Sequence, residues 1–131
     1  MELDNKTIQK YSKFTTAKLK VKAQIVFNKW IRTRDAGNSC ISCPSYNTSD
    51  ASHLYSAGKH NHMRFNPDNV HLACKRCNLF LSGNLLEYRK RLIKKIGLER
   101  VEKLDLLAAD KGVHKDNRFL YIEVCESYKL K

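Results

Sequence analysis

The sequence predicts an α+β protein that is mostly helical, with a short irregular core between N-terminal and C-terminal helices. Apolar residues recur at helical spacing in residues 15–35 and again in 85–131. Between residues 36 and 84 that spacing is lost, and Gly, Pro, Ser and Asn become frequent. Two Cys-x-x-Cys pairs lie inside this middle stretch. A chain of 131 residues suits one domain with a modest core.

The elements follow from the residue pattern in chain order. Residues 1–14 are polar and predicted to be flexible, and one domain is predicted for 15–131. Thr15 or Thr16 can cap the first helix. Its predicted core face carries Leu19, Ala23, Val26, Phe27, Trp30 and Ile31.

The middle stretch and the second helical region have their own signals. Short strands are predicted around residues 51–55 and 69–73, where apolar and polar residues roughly alternate. Asn84 and Glu87 have the spacing of a capping box at the start of the next helix, and Gly97 suits its end. The sequence therefore predicts two strands followed by C-terminal helices.

The cysteine pairs predict a zinc site. Two cysteines separated by two residues can direct both sulfurs at one ion, and two such pairs complete tetrahedral coordination. The four predicted ligands are Cys40, Cys43, Cys74 and Cys77. A site with four cysteine ligands is closed, so we expect one structural zinc per chain. Free buried thiols or a redox pair are the alternatives, but a redox pair would need a βαβ pattern, which the sequence lacks.

The absence of apolar targeting segments and the positive net charge of the chain favour a cytoplasmic, DNA-binding protein. The N-terminus has no apolar signal segment and no run of about 18 apolar residues exists, so we expect no membrane association. Cysteines in such a chain favour metal over disulfides, and the fifth, Cys125, is expected in the core. With 25 Lys and Arg against 13 acidic residues, the net charge is +12. This charge attracts nucleic acid, although solubility alone could also explain it.

A short motif between the cysteine pairs supplies groups suited to phosphodiester chemistry. That chemistry needs a base to activate water and a cation, held by protein ligands, to stabilise charge on the phosphate. Asp50 and His53 belong to the stretch DASH, and Asn78 follows the last cysteine of the second pair. An Asp carboxylate and an Asn carbonyl suit a hard divalent ion, and a His near neutral pKa suits the base.

These motifs resemble a known family. The stretches FNKWIRTRDAGNSCISC, DASH, MRFNPDNVHLACKRCN and SGNLLEYRKRLIKKIG resemble the HNH (His-Me finger, ββα-metal) nucleases, and more closely the lambdoid phage NinG (Rap) recombination nucleases. The resemblance covers roughly residues 15 to 104. It implies a zinc-stapled ββα-metal core in residues 36–84 and a metal-dependent DNA endonuclease that leaves 5′-phosphate and 3′-hydroxyl ends.

The resemblance also implies roles for individual residues. His53 would be the general base, Asp50 and Asn78 would hold one Mg²⁺ or Mn²⁺, and Asn69 would brace the loop that carries the base. Many HNH proteins place the acidic ligand directly before the base, where Ser52 stands here. Side chains alternate along a strand, so the residues one and three positions before His53 lie on the same face. Asp50 could therefore take the place of the acidic ligand. The structural alternatives are a plain turn for Asp50 and a cap of the following turn for Asn78.

Several basic residues are candidates for DNA contact. They are His60, Arg64, His71, Arg89, Lys90, Arg91 and Lys94. His60 and Arg64 lie in a polar loop, where contact with DNA and simple exposure are both open. His71 lies two residues from Asn69, so it is either a support for the site or a phosphate ligand. The basic residues of the first helix form either a solvated or a DNA-facing surface.

Two functions of different classes therefore remain. The first is an HNH endonuclease of phage or prophage recombination, acting on branched or single-strand-containing DNA such as D-loops and Holliday junctions. A homodimer would supply the two symmetric cuts that a junction needs. The alternative is a non-catalytic, zinc-stabilised DNA-binding module. Only Asp50, His53 and Asn78 separate the two functions. An RNA-binding protein is less favoured, because most aromatic residues occupy predicted core positions.

Overall fold

The computed structural model describes residues 2–130 and has an α+β fold that is mostly helical, which confirms the predicted class. Within this range a single antiparallel sheet of two strands is flanked by helices on both sides in sequence. The elements are α1 Asn5–Lys10, α2 Thr16–Arg34, β1 Asp50–His53, β2 Val70–Ala73, α3 Leu85–Ile96, α4 Leu98–Ala108 and α5 Arg118–Tyr128. None of the helices found among these residues is long and apolar enough to cross a membrane.

The chain divides into two compact units. One contains the residues up to Trp30 together with those from His114 onward, and the other is Ile31–Val113. Helix α2 contributes its last four residues, from Ile31 to Arg34, to the second unit. Helix α1 lies in the stretch for which the sequence predicts flexibility. The single domain at 15–131 stays a prediction.

The first unit has an aromatic and aliphatic core built from α2 and α5. The Tyr128 ring lies edge-on to the rings of Phe27 and Trp30, with centroid distances of 4.8 and 4.9 Å. Cys125 is buried, as predicted for a small core residue. The predicted cap of α2 is also present, because the Thr15 hydroxyl accepts a hydrogen bond from the Lys18 backbone N–H at 3.2 Å.

The second unit is built around the hairpin. Strands β1 and β2 pair antiparallel, with Asp50 opposite Ala73 and His53 opposite Val70. Each strand has only four residues, close to the positions that the sequence predicts. A two-stranded sheet of this length is not stable alone. Its apolar support comes from buried residues of α3 and α4, namely Tyr88, Leu92, Val101 and Leu104.

Tyr88 links α3 to both strands. Its side chain is fully buried, and its hydroxyl donates to the backbone carbonyl of Ser52 at 2.7 Å. The Asn69 carbonyl lies 3.4 Å from the same hydroxyl. Burial raises the pKa of Tyr88 well above its ordinary value, so the hydroxyl stays protonated and donates. A polar bond thus fixes the backbone directly before His53.

The predicted capping box of α3 is wrong. Asn84 has a φ of +49°, in the left-handed region, and its side chain accepts no hydrogen bond from the first turn of α3. Its amide instead donates towards the Ser42 carbonyl at 3.3 Å and the Cys77 sulfur at 3.7 Å. Asn tolerates left-handed backbone better than most residues, and the turn needs that conformation here. The side chain therefore serves the cysteine cluster instead of the helix.

Candidate functional site

The four predicted zinc ligands come together in space. The Sγ atoms of Cys40, Cys43, Cys74 and Cys77 all lie within 4.8 Å of one another. The Cys43 and Cys74 sulfurs are 3.8 Å apart. A tetrahedral zinc with Zn–S bonds of about 2.3 Å places its sulfurs about 3.8 Å apart. The cluster could therefore hold one zinc ion with little rearrangement.

The backbone around the cluster donates to the sulfurs. The N–H of Ser42 points to the Cys40 Sγ at 3.3 Å, and the N–H of Cys77 points to the Cys74 Sγ at 3.5 Å. Such donors stabilise negative charge on sulfur. Burial raises the pKa of the Cys77 thiol to about 12. A bound cation is thus needed to keep all four groups as thiolates near neutral pH.

Asp50 and Asn78 also lie in contact. The Asn78 amide donates to Asp50 Oδ2 at 2.9 Å. The Lys75 ammonium lies 3.0 Å from Oδ1, and the Ser49 hydroxyl donates to that oxygen at 2.8 Å. Burial alone would raise the pKa of Asp50, but these hydrogen bonds outweigh it and lower the pKa below its ordinary value. Asp50 is therefore an ionised oxygen ligand beside an amide, a pairing that suits a hard divalent ion.

His53 is oriented by a backbone carbonyl. Its Nε2 lies 3.0 Å from the carbonyl oxygen of Arg64. Because a carbonyl only accepts, Nε2 carries the proton and Nδ1 is left with a free lone pair in the neutral ring. Burial lowers the pKa of His53 below its ordinary value. The ring is therefore neutral near pH 7, with Nδ1 available as a base.

Asn69 braces the loop that supplies this carbonyl. Its side chain is fully buried, and its amide donates to the carbonyls of Tyr55 at 2.9 Å and Met63 at 3.2 Å. Its Oδ1 accepts from the Tyr55 N–H at 2.9 Å. One side chain thus ties together both ends of the segment between Tyr55 and Arg64.

The structure does not join all the predicted catalytic residues directly. Within residues 2–130, no hydrogen bond connects His53 to Asp50 or to Asn78. Asp50 and His53 are the first and last residues of β1. Two separate groups result: the Asp50–Asn78 pair, and His53 with its brace.

A polar cluster around the buried Asp35 and His71 in the second unit was not predicted. Asp35 is 2% exposed, and its carboxylate accepts from Arg34 at 2.8 and 2.9 Å and from Lys95 at 3.0 Å. The His71 Nδ1 lies 2.9 Å from the Lys95 ammonium and 3.1 Å from an Arg34 nitrogen. We name Arg34, Asp35, His71 and Lys95 the polar clamp.

The polar clamp covers the outer edge of β2. Asp35 accepts from the Leu72 N–H at 3.1 Å, and Arg34 donates to the carbonyls of Val70 at 2.8 Å and Pro67 at 2.9 Å. The end of α2 thus satisfies backbone groups that a third strand would otherwise pair. No sequence pattern marks this role, because the four side chains come from three regions far apart in the chain.

The predicted DNA-contact residues occupy different environments. His71 is 2% exposed and belongs to the polar clamp, so we leave it out of any DNA surface. Arg89 makes a bidentate ion pair with the Asp105 carboxylate, with both N···O distances at 2.7 Å. The His60 ring lies edge-on to Tyr55 with centroids 5.2 Å apart, and Arg64 Nε donates to the Asn61 side chain at 3.1 Å.

Helix α3 presents the remaining cations at a cleft. Lys90, Arg91 and Lys94 line a cleft of about 600 Å³ between α3 and the loop that carries the first cysteine pair. Lys90 is exposed and lies 3.3 Å from Glu87. An exposed pair of this kind is weak, and a phosphate can compete for the ammonium. Contact of these three residues with DNA stays a prediction.

The fold and the site define the class: a small α+β protein whose four-cysteine cluster could hold a zinc ion. A family model described as "Bacteriophage Lambda NinG protein" matches residues 2–131. The chain is 37% identical to "Protein ninG" of Escherichia phage lambda over 109 residues, or 82% of this chain and 50% of that relative. The chain therefore belongs to the NinG family.

Other curated relatives give the same result. "Protein ninG" of Escherichia phage 933W is 35% identical over 111 residues, covering 83% of this chain and 52% of that relative. "Protein ninG" of Salmonella phage P22 is 35% identical over 109 residues, covering 82% and 50%. The chain thus spans about half the length of the curated relatives it matches. No solved structure matches it significantly.

Proposed function

We propose that this chain is a divalent-metal-dependent DNA endonuclease of the HNH type that acts in phage recombination on branched DNA. The observation that carries the proposal is the arrangement of His53, whose Nε2 is fixed by the Arg64 carbonyl while Asn69 holds the loop. The hairpin and the helical turn Arg76–Phe80 that follows it support a ββα-metal core. Hydrolysis would leave 5′-phosphate and 3′-hydroxyl ends.

His53 would act as the general base. A neutral imidazole with Nε2 protonated accepts the proton of an attacking water at Nδ1. The low pKa of His53 keeps that lone pair free at neutral pH. The contacts of Asn69 restrict the loop, so the carbonyl that sets the tautomer does not move away. A fixed tautomer and ring orientation are what a general base needs to meet water in line with phosphorus.

Asp50 and Asn78 would hold the catalytic ion. Both offer oxygen atoms, and Mg²⁺ often uses one or two protein ligands and keeps several waters. Mg²⁺ or Mn²⁺ supplies Lewis-acid stabilisation of charge on the phosphoryl and leaving oxygens. The carboxylate is already ionised, and Lys75 lies beside it. The Asn78 side chain would turn its oxygen towards the ion, because an amide offers both a donor and an acceptor.

The DNA itself would be attracted by charge. A net charge of +12 speeds the encounter with a polyanion, and Lys90, Arg91 and Lys94 line an open cleft. The alternative, a non-catalytic DNA-binding module, is favoured by one observation. The Asp50 carboxylate accepts hydrogen bonds from the Lys75 ammonium and the Asn78 amide, as it would in a purely structural ion pair. A cleavage assay separates the two functions.

The test uses linear, flapped and four-way DNA of matched sequence, incubated with zinc-loaded protein and Mg²⁺ or Mn²⁺. We expect the wild type to nick branched DNA, and His53→Ala to lose at least about a hundredfold in rate, because a general base contributes about 10²- to 10⁴-fold. His53→Ala should still bind DNA. His114→Ala is the matched control and should cut normally. Full activity of His53→Ala would refute the mechanism, and binding without any cutting by the wild type would favour the alternative.

A further inference from the structure

An exposed apolar segment follows Asn78 directly. We name residues 79–86 the apolar loop, and its large apolar side chains are all exposed: Leu79, Phe80, Leu81, Leu85 and Leu86. Phe80 is 81% and Leu86 is 80% exposed. Single exposed apolar residues are common, but a run of five in eight residues is not. Such a concentration usually marks a surface that contacts something else.

The backbone of the apolar loop is fixed to the second cysteine pair. Leu81 N–H donates to the Arg76 carbonyl at 2.9 Å, and Gly83 N–H donates to the Cys77 carbonyl at 2.7 Å. The buried Ser42 hydroxyl donates to the Gly83 carbonyl at 2.8 Å. Gly83 has a φ of +93°, and a Cβ there would lie 2.9 Å from a Leu85 methyl carbon. The side chains are therefore presented from an anchored turn.

The charges around the apolar loop favour a polyanion as its partner. Residues 75–95 contain seven Lys or Arg and only one acidic residue, Glu87. Arg76 is exposed and makes no ion pair with any described residue. If two copies of this +12 chain met through the apolar loop, their cations would face each other, which is unfavourable. DNA offers phosphates for the cations and base faces for the apolar side chains.

We propose that the apolar loop is a wedge that inserts into DNA at a branch point, with Phe80 stacking on an unpaired or unstacked base. This rests on the proposed nuclease function and explains its choice of substrate. Phe80 lies two residues from Asn78, so their backbones are at most roughly 7 Å apart. The ring thus enters the DNA within about two base steps of the phosphate that is cut.

A wedge at this place selects for branched DNA. Inserting a side chain into a duplex requires a base step to be unstacked, which costs free energy. At a junction or flap some bases are already unstacked, so this cost is smaller. Apolar side chains such as Phe and Leu are the usual wedges of DNA-bending proteins. The cations supply general affinity, and Phe80 supplies the preference for a branch.

The test measures binding, not cutting, in a His53→Ala background with zinc bound. A four-way junction and a linear duplex carry the fluorescent base 2-aminopurine beside the branch point or at the matching position. We expect the protein to raise the fluorescence of the junction, because the base loses its neighbours. Phe80→Ala should abolish this rise and weaken junction binding about tenfold. Binding to the linear duplex should change less than about twofold.

Two controls make the outcome decisive. Phe119→Ala removes another exposed ring, on α5, and should behave like the parent protein. Leu86→Ala should weaken junction binding to a smaller extent than Phe80→Ala. Normal junction binding and fluorescence with Phe80→Ala would overturn the wedge alone. A parent dimer that becomes a monomer with Phe80→Ala in sedimentation would overturn it in favour of a dimer interface. A parent that binds no DNA would overturn the proposed function as well.

Discussion

Two clusters of side chains hold the hairpin, and they do so with different chemistry. The four cysteines connect the segment before β1 to the segment after β2, and they need a cation to offset the charge of their thiolates. The polar clamp holds the outer edge of β2 and contains both signs of charge, with Asp35 between Arg34 and Lys95. One cluster depends on a ligand from solution, whereas the other is complete within the chain.

This difference shows how strands of four residues can carry precisely placed groups. Each strand is too short to be stable alone, so its position depends on what is attached to its ends and edge. The cysteine cluster sets where Asn78 lies, because Asn78 follows Cys77 directly. The polar clamp sets the position of β2, and with it Asn69 and the brace of His53. Loss of the metal should therefore displace Asn78, whereas loss of the polar clamp should displace Asn69 and His53.

The largest expected effect comes from removing zinc. Cys77→Ala, or treatment of the wild type with a strong chelator, should unfold the hairpin region, since structural zinc contributes about 10–16 kcal/mol in small zinc domains. Elemental analysis should find about one zinc per wild-type chain and none in the variant, and hydrogen exchange should localise the unfolding. Cys125→Ser is the matched control, because it lies outside the cluster, and it should retain zinc. If the fold survives chelation, the cysteine cluster does not depend on a bound zinc ion.

The next largest effect comes from breaking the polar clamp. Asp35→Ala leaves Arg34 and Lys95 without their buried carboxylate, and it should reduce the free energy of unfolding by about 3–5 kcal/mol. Urea unfolding at pH 7 with zinc bound measures this. Glu87→Gln breaks only an exposed pair and should change the same free energy by less than about 1 kcal/mol. Equal effects of the two substitutions would show that the clamp has no special role.

Acid should distinguish the clamp from an ordinary ion pair. Burial and the nearby cations lower the pKa of His71 to about 3, so the folded ring stays neutral where the unfolded ring takes a proton. The unfolded state therefore binds more protons between pH 6.5 and 3, and stability falls as pH falls. From pH 7 to 5 this costs about 2 kcal/mol. His71→Gln, compared with the wild type at both pH values, should remove that difference; an unchanged pH dependence would contradict the assignment.

The smallest effect on stability is expected at the cations of α3 that line the cleft, Arg91 and Lys94. Arg91→Gln and Lys94→Gln should leave urea unfolding nearly unchanged. If each contacts one phosphate, each should reduce the slope of log affinity against log salt by about 0.9. Lys95→Met should have the opposite pattern. It should reduce the free energy of unfolding and leave the salt dependence of DNA affinity nearly unchanged. If the slope of log affinity against log salt is the same in the wild type and in both variants, α3 is not part of the DNA-binding surface.

The sequence revealed the features that depend on spacing. The mostly helical α+β class and the convergence of the four cysteines were predicted, because periodicity and Cys-x-x-Cys spacing are local signals. The polar clamp was not, because Arg34, His71 and Lys95 share no local pattern. The capping box failed because the Asn84 backbone is left-handed, whereas an N-cap residue normally has an extended backbone. A residue spacing in the sequence does not report the backbone conformation that the preceding turn imposes.

The spacing of the cysteine pairs also bears on how the chain folds. Cys43 and Cys74 are 31 residues apart, and bringing such distant points together costs about 3 kcal/mol of chain entropy. The first contacts between two four-residue strands contribute less free energy than this closure costs, so the hairpin forms slowly on its own. If zinc binds the unfolded thiolates first, the loop is already closed when the strands begin to pair. Refolding should then be faster when zinc is present from the start than when it is added afterwards.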